Sequence, residues 1–114
     1  MLEFNAFHNP LTGLPNRTLL MEHLCGEIQR CARTRSMLAV FSIDIDEMEA
    51  ESGTQHVSNQ VIKLVAERLQ QTVRGGDTVA RLEGRRLVVV VPNLQVVGDA
   101  CFAVQRLRQN FPDR

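Results

Sequence analysis

The chain has 114 residues, 44% of them hydrophobic, enough to bury one core and no more, so residues 1–114 are read as a single domain. Thirteen basic residues balance thirteen acidic ones and there is no Trp or Tyr, which argues against a nucleic-acid or anionic-membrane binder. Apolar runs such as Leu87 to Val91 are far too short to cross a bilayer and no charged-then-apolar leader opens the chain, so a cytoplasmic location is expected.

Asn16 is placed to cap a first helix with Leu20, Leu24, Ile28 and Cys31 on one stripe, ending near Arg35. Leu38 to Ile43 reads as a strand buried on both faces, and its carboxyl end carries Asp44 and Asp46. A second amphipathic helix takes Val57, Val61, Leu64, Val65 and Leu69, and Gly75-Gly76 stops the chain beyond it. Thr78 to Leu82 and Leu87 to Val91 form a hairpin across Glu83 to Arg86, closed by Pro92 and Asn93. A last helix sets Ala100, Val104, Leu107 and Phe111 on one face. The pattern is an α/β or α+β layering of helices on a sheet. Cys25, Cys31, Cys101 and the three histidines match no metal-ligand spacing.

Four segments resemble, in order and spacing, the diguanylate cyclase (GGDEF) domain of bacterial signalling proteins. Asn9-Pro10-Leu11-Thr12-Gly13-Leu14-Pro15-Asn16-Arg17 is similar to its opening motif, with Asn9 in place of the first aspartate. Phe41 to Asp46 resembles its Ile-Asp-Ile-Asp strand end, and Arg74-Gly75-Gly76-Asp77 followed by Arg81 resembles its Arg-x-x-Asp…Arg segment. Glu83-Gly84-Arg85-Arg86-Leu87 stands where the family keeps its Gly-Gly-Asp-Glu-Phe turn. The resemblance implies a central mixed sheet flanked by helices and a role in cyclic di-GMP signalling. The family fold continues through a further strand, helix and strand that this chain lacks, so residues 1–114 are expected to be a partial domain. An uncovered sheet edge of that kind invites pairing with another chain.

In the family, two Mg²⁺ ions hold GTP through the first aspartate of the strand end and an acid of the turn. Asp44 matches that aspartate, but the turn acids are replaced by Arg85 and Arg86, cations that cannot ligate metal. A guanidinium facing Asp44 is expected to compensate it, leaving Asp44 vestigial with no metal or other cofactor. Ser52 and Val61 stand where the family reads guanine with asparagine and aspartate; guanine donors left unpaired there would cost about 1–3 kcal/mol each. Glu49 stands where the family carries a lysine near the triphosphate.

Arg74 and Asp77 match the inhibitory site that binds cyclic di-GMP, and Arg106 matches a second arginine on the same ligand; a guanidinium fork suits guanine O6 and N7. The competing reading is a helix stop with Asp77 solvated. The resemblance thus implies an inactive domain that binds cyclic di-GMP or regulates a partner. An active cyclase with Mg²⁺ held by Asp46 or Glu83, and a dimerisation module binding no nucleotide, are the alternatives. A fused sensor or phosphodiesterase domain and a homodimer are compatible with all three.

Overall fold

The computed structural model describes residues 6–45, 59–82 and 86–110. Asp46, Glu49, Ser52, Val57, Glu83, Gly84, Arg85 and Phe111 therefore lie outside the described residues.

Helix α1 spans Arg17–Thr34. Asn16 sits in extended conformation and its Oδ1 accepts the Leu19 N–H at 3.2 Å, which satisfies one of the helix's orphan donors. At the other end Arg35 turns left-handed (φ 58, ψ 43) and its N–H returns to the Cys31 carbonyl. Leu20 and Cys31 are buried and Leu24 packs against the cluster that holds Leu20, but Ile28 is 52% exposed and leaves the expected stripe. Each step of four residues overshoots a 3.6-residue turn by about 40°, so Ile28 lies about 80° round from Leu20, while Cys31 returns to about 20°.

Strand β1 (Met37–Asp44) is followed by α2 (Asn59–Thr72), β2 (Thr78–Arg81), β3 (Arg86–Leu94) and α3 (Val97–Asn110). The sheet order is β1-β3-β2 with both ladders antiparallel, so the α+β architecture holds while the mixed pairing expected of the sheet does not arise among the described residues. β3 occupies the centre and Leu87 to Val91 are buried throughout. β1, expected to be buried on both faces, instead pairs with β3 alone among the described residues, and its residues are exposed or half-buried. The two apolar runs look alike in sequence; position in the sheet separates them.

The hairpin strand does not end at Pro92. Its register shifts from Ala39↔Val91 to Met37↔Leu94, so Pro92 and Asn93 together oppose Leu38, with Asn93 at φ 65. Such a bulge removes the demand for a ladder N–H that proline lacks.

The alternation along β3 divides the core. Leu87, Val89 and Val91 face α2 and α3, packing with Ile62, Ala66, Leu69, Ala103 and Leu107. Val88 and Val90 face α1, packing with Leu20 and Ala80. Leu64, expected on the inner face of α2, is 64% exposed, whereas Val61 and Val65 pack partly buried against the core. On α3, Asp99 Oδ2 accepts the N–H groups of Gln95 and Val96 at 2.9 and 3.2 Å, fixing the entry into the helix. Among the described residues no helix is long and apolar enough to cross a membrane.

Candidate functional site

Because Asp44 pairs with Arg86 at the end of the β1–β3 ladder, the last residue of β1 and the first of β3 face each other across the sheet. Arg86 Nε donates to Asp44 Oδ1 at 3.0 Å and Arg86 Nη2 to Oδ2 at 3.4 Å, a two-toothed contact that uses both carboxylate oxygens. The side chains are 53% and 59% exposed, so the pair itself contributes only about 0–1 kcal/mol. Val61 is half-buried against the core, and its hydrocarbon side chain offers no acceptor to a base edge.

At the opposite end of the β2–β3 ladder, α2 runs out at Thr72 and the chain turns through Arg74 to Asp77. The Asp77 N–H donates to the Arg74 carbonyl at 3.0 Å and Asp77 Oδ2 accepts the Arg74 N–H at 3.0 Å. Arg106 on α3 brings its Nη2 within 3.5 Å of the same Oδ2. Arg74, Asp77 and Arg106 are thus gathered in one place, with the Asp77 side chain only 6% exposed and the Arg74 residue exposed. Asp77 is not a solvated loop carboxylate; it clamps the turn to α3. Sequence reasoning assigned Asp77 and Arg106 to one site without pairing them, although their opposite charges were a sufficient signal.

A further link ties the opening turn to the hairpin. Asn9 Oδ1 accepts the N–H groups of Leu11 and Thr12 and the Thr12 hydroxyl, and Arg81 Nη1 donates to it at 3.2 Å. Arg81 N–H also donates to the Pro15 carbonyl at 3.0 Å. Asn9, Asn16, Arg17, Thr18, Arg81 and Leu82 line a shallow pocket of ≈ 260 Å³ that includes none of the residues at the other two places.

Residues 6–113 match the family profile for the diguanylate cyclase GGDEF domain. The chain belongs to the GGDEF family. Among curated relatives it is 34% identical over 111 residues to the bifunctional diguanylate cyclase/cyclic di-GMP phosphodiesterase MucR of Pseudomonas aeruginosa, covering 93% of this chain and 16% of MucR. It is 36% identical over 89 residues to the diguanylate cyclase DgcP of the same organism, covering 76% of this chain and 13% of DgcP. The chain therefore spans only a small part of those relatives. The GGDEF domain of TpbB from P. aeruginosa superimposes with a TM-score of 0.81 at 29% identity, over 93% of this chain and 63% of that one. A sensory box/GGDEF protein from Caulobacter crescentus gives 0.82 at 29% identity, over 94% and 70%. The strand end at Asp44 and the segment Arg74 to Asp77 both lie within the residues that match the GGDEF profile.

Proposed function

We propose that this GGDEF domain is catalytically silent and acts in a cytoplasmic signalling protein as a receptor for cyclic di-GMP or as a regulatory module of a neighbouring domain. The observation that carries this reading is the Arg86 fork on Asp44. When active, GGDEF domains use Mg²⁺ to neutralise the triphosphate, but the donors at this position do not fit that ion. Both Asp44 oxygens already receive N–H groups, and Arg86 at the start of β3 brings a cation beside them. Magnitude decides which effect matters more: a surface pair worth at most about 1 kcal/mol lowers metal affinity roughly fivefold, so the missing second carboxylate is the larger loss.

Arg74, Asp77 and Arg106 are the proposed ligand-binding residues, with the exposed Arg74 guanidinium meeting the guanine edge. Their gathering at one joint supports this role, and so does a solved GGDEF domain of DgcB from Caulobacter crescentus described in complex with c-di-GMP. MucR, a bifunctional cyclase and phosphodiesterase of which this chain matches only 16%, supports a setting in which this domain is fused to others. The test is calorimetric titration with cyclic di-GMP and GTP separately, alongside an assay for product from GTP with Mg²⁺ or Mn²⁺. Binding of cyclic di-GMP without turnover is expected. Product formation that Asp44→Asn abolishes would replace the reading with that of an active cyclase, and binding of neither nucleotide would leave a structural module.

A further inference from the structure

We infer that the site formed by Arg74, Asp77 and Arg106 recognises cyclic dinucleotides of 6-oxopurines as a class and does not read the 2-amino group of guanine. The inference rests on the receptor reading proposed above and deepens it.

The limit is set at the Asp77 carboxylate. Its Oδ2 accepts the Arg74 N–H at 3.0 Å and has Arg106 Nη2 at 3.5 Å, so both lone-pair directions of that oxygen are taken. The side chain is 6% exposed, and a ligand can approach it only through Oδ1. Turning the carboxylate over exchanges the two oxygens without freeing a second one. Guanine presents two donors side by side, N1–H and the 2-amino group, and a carboxylate takes both only by offering both oxygens. Asp77 therefore meets one of the two.

Which donor it meets follows from the arginine. Arg74 is exposed, and its fork suits O6 and N7 of the base. N1 is bonded to the carbon that carries O6, whereas the 2-amino group sits on the next carbon round the ring. With the fork on O6 and N7, N1–H is the donor nearer to the site and the 2-amino group the farther.

Hypoxanthine keeps O6, N7 and N1–H and lacks only the 2-amino group, so it satisfies the same contacts as guanine. Adenine carries an amino donor in place of O6 and a bare acceptor at N1. It would set a donor against the guanidinium and a lone pair against the carboxylate. The site thus separates oxo from amino purines and treats guanine and hypoxanthine alike. The contacts behind this limit join the turn after α2 to α3 through Arg74, Asp77 and Arg106 themselves.

Calorimetric titration of the 114-residue chain with cyclic di-GMP, cyclic di-IMP and cyclic di-AMP is the test. The three ligands share the ring and both phosphates, so differences in affinity report the base edge alone. A hydrogen bond to a carboxylate, where it is made, is worth about ten- to a hundredfold in affinity. Cyclic di-IMP is expected to bind within about threefold of cyclic di-GMP, and cyclic di-AMP to be weaker by about tenfold or more. Arg74→Ala should weaken cyclic di-GMP and cyclic di-IMP by the same factor, which places both in this site. A larger loss on cyclic di-IMP means that Asp77 reads both donors; it overturns the inference and leaves the receptor reading standing. Cyclic di-AMP binding closer than tenfold to cyclic di-GMP, or an Arg74→Ala effect confined to cyclic di-GMP, overturns it as well. Binding of none of the three overturns the receptor reading and the inference with it.

Discussion

The Asp77 carboxylate stands 3.5 Å from Arg106 Nη2 while accepting the Arg74 N–H, so the acid of the proposed ligand site is already engaged by the protein. Ligand binding and fold stability are therefore mixed at Asp77 and Arg106 but separable at the exposed Arg74. Arg74→Ala is expected to leave thermal stability nearly unchanged and to weaken cyclic di-GMP binding about ten- to a hundredfold, the worth of one bidentate arginine–guanine contact. Arg86→Ala, at the other end of the β2–β3 ladder, should leave that affinity intact. Calorimetric titration of both variants at two salt concentrations checks the contrast.

Asp77→Ala should behave differently from Arg74→Ala. It removes the turn's acceptor and leaves the Arg106 guanidinium, whose side chain is only 26% exposed, without this carboxylate. A loss of about 1–3 kcal/mol in unfolding free energy is expected, measured by urea denaturation. A variant as stable as the parent would mean that the clamp between the turn and α3 carries no weight.

Metal binding near Asp44 should respond to charge in two steps. Arg86→Ala removes only an exposed pair and should raise divalent-metal affinity by no more than about fivefold. Arg85→Glu combined with Arg86→Glu adds oxygen donors and should raise it further, without producing turnover, because Ser52 and Val61 still offer guanine no suitable partners. Mn²⁺ titration followed by water-proton relaxation distinguishes the steps; equal affinities in all three proteins would remove the competition between arginine and metal from the account.

The readable parts of the sequence were those governed by local rules. The Asn16 cap, the helix end near Arg35 and the facing of Asp44 by an arginine all follow from nearest-neighbour chemistry or motif spacing, whereas the left-handed conformation at Arg35 does not. Errors arose where tertiary position decides. Leu38 to Ile43 and Leu87 to Val91 are similar apolar runs, yet among the described residues one pairs on a single side and the other on both. The strand also passes through Pro92, because a bulge is a property of the pair and not of either strand.

The facing of α2 can be tested directly. Leu69 is fully buried between α2 and β3, whereas Leu64, five residues earlier, is 64% exposed. Leu69→Ala should cost about 2–5 kcal/mol and Leu64→Ala within about 0.5 kcal/mol, by denaturant midpoint at equal slope. Similar losses at both positions would place the helix in a different rotation.

Asn9 offers the sharpest electrostatic test, since one amide oxygen receives three donors from its own turn and a fourth from Arg81. An amide oxygen has two lone-pair directions, so four donors cannot all be well aligned. Asn9→Asp supplies a second oxygen and a negative charge beside the guanidinium, and hydrogen bonds to charged groups are worth about 1.5–3 kcal/mol against about 0.5–1.5 for neutral ones. A gain of about 1 kcal/mol is expected, which for a domain near this size raises Tm by roughly 4–8 °C. Arg81 holds the introduced carboxylate's folded pKa below its unfolded value of about 3.9, so the gain is complete above that value and disappears as pH falls through the folded pKa. Thermal melts of parent and variant at pH 7 and at successively lower pH measure the sign: a variant no more stable than the parent at pH 7, or a gain that does not shrink as pH falls below about 3.9, would show that the Asn9–Arg81 contact is not electrostatic in origin.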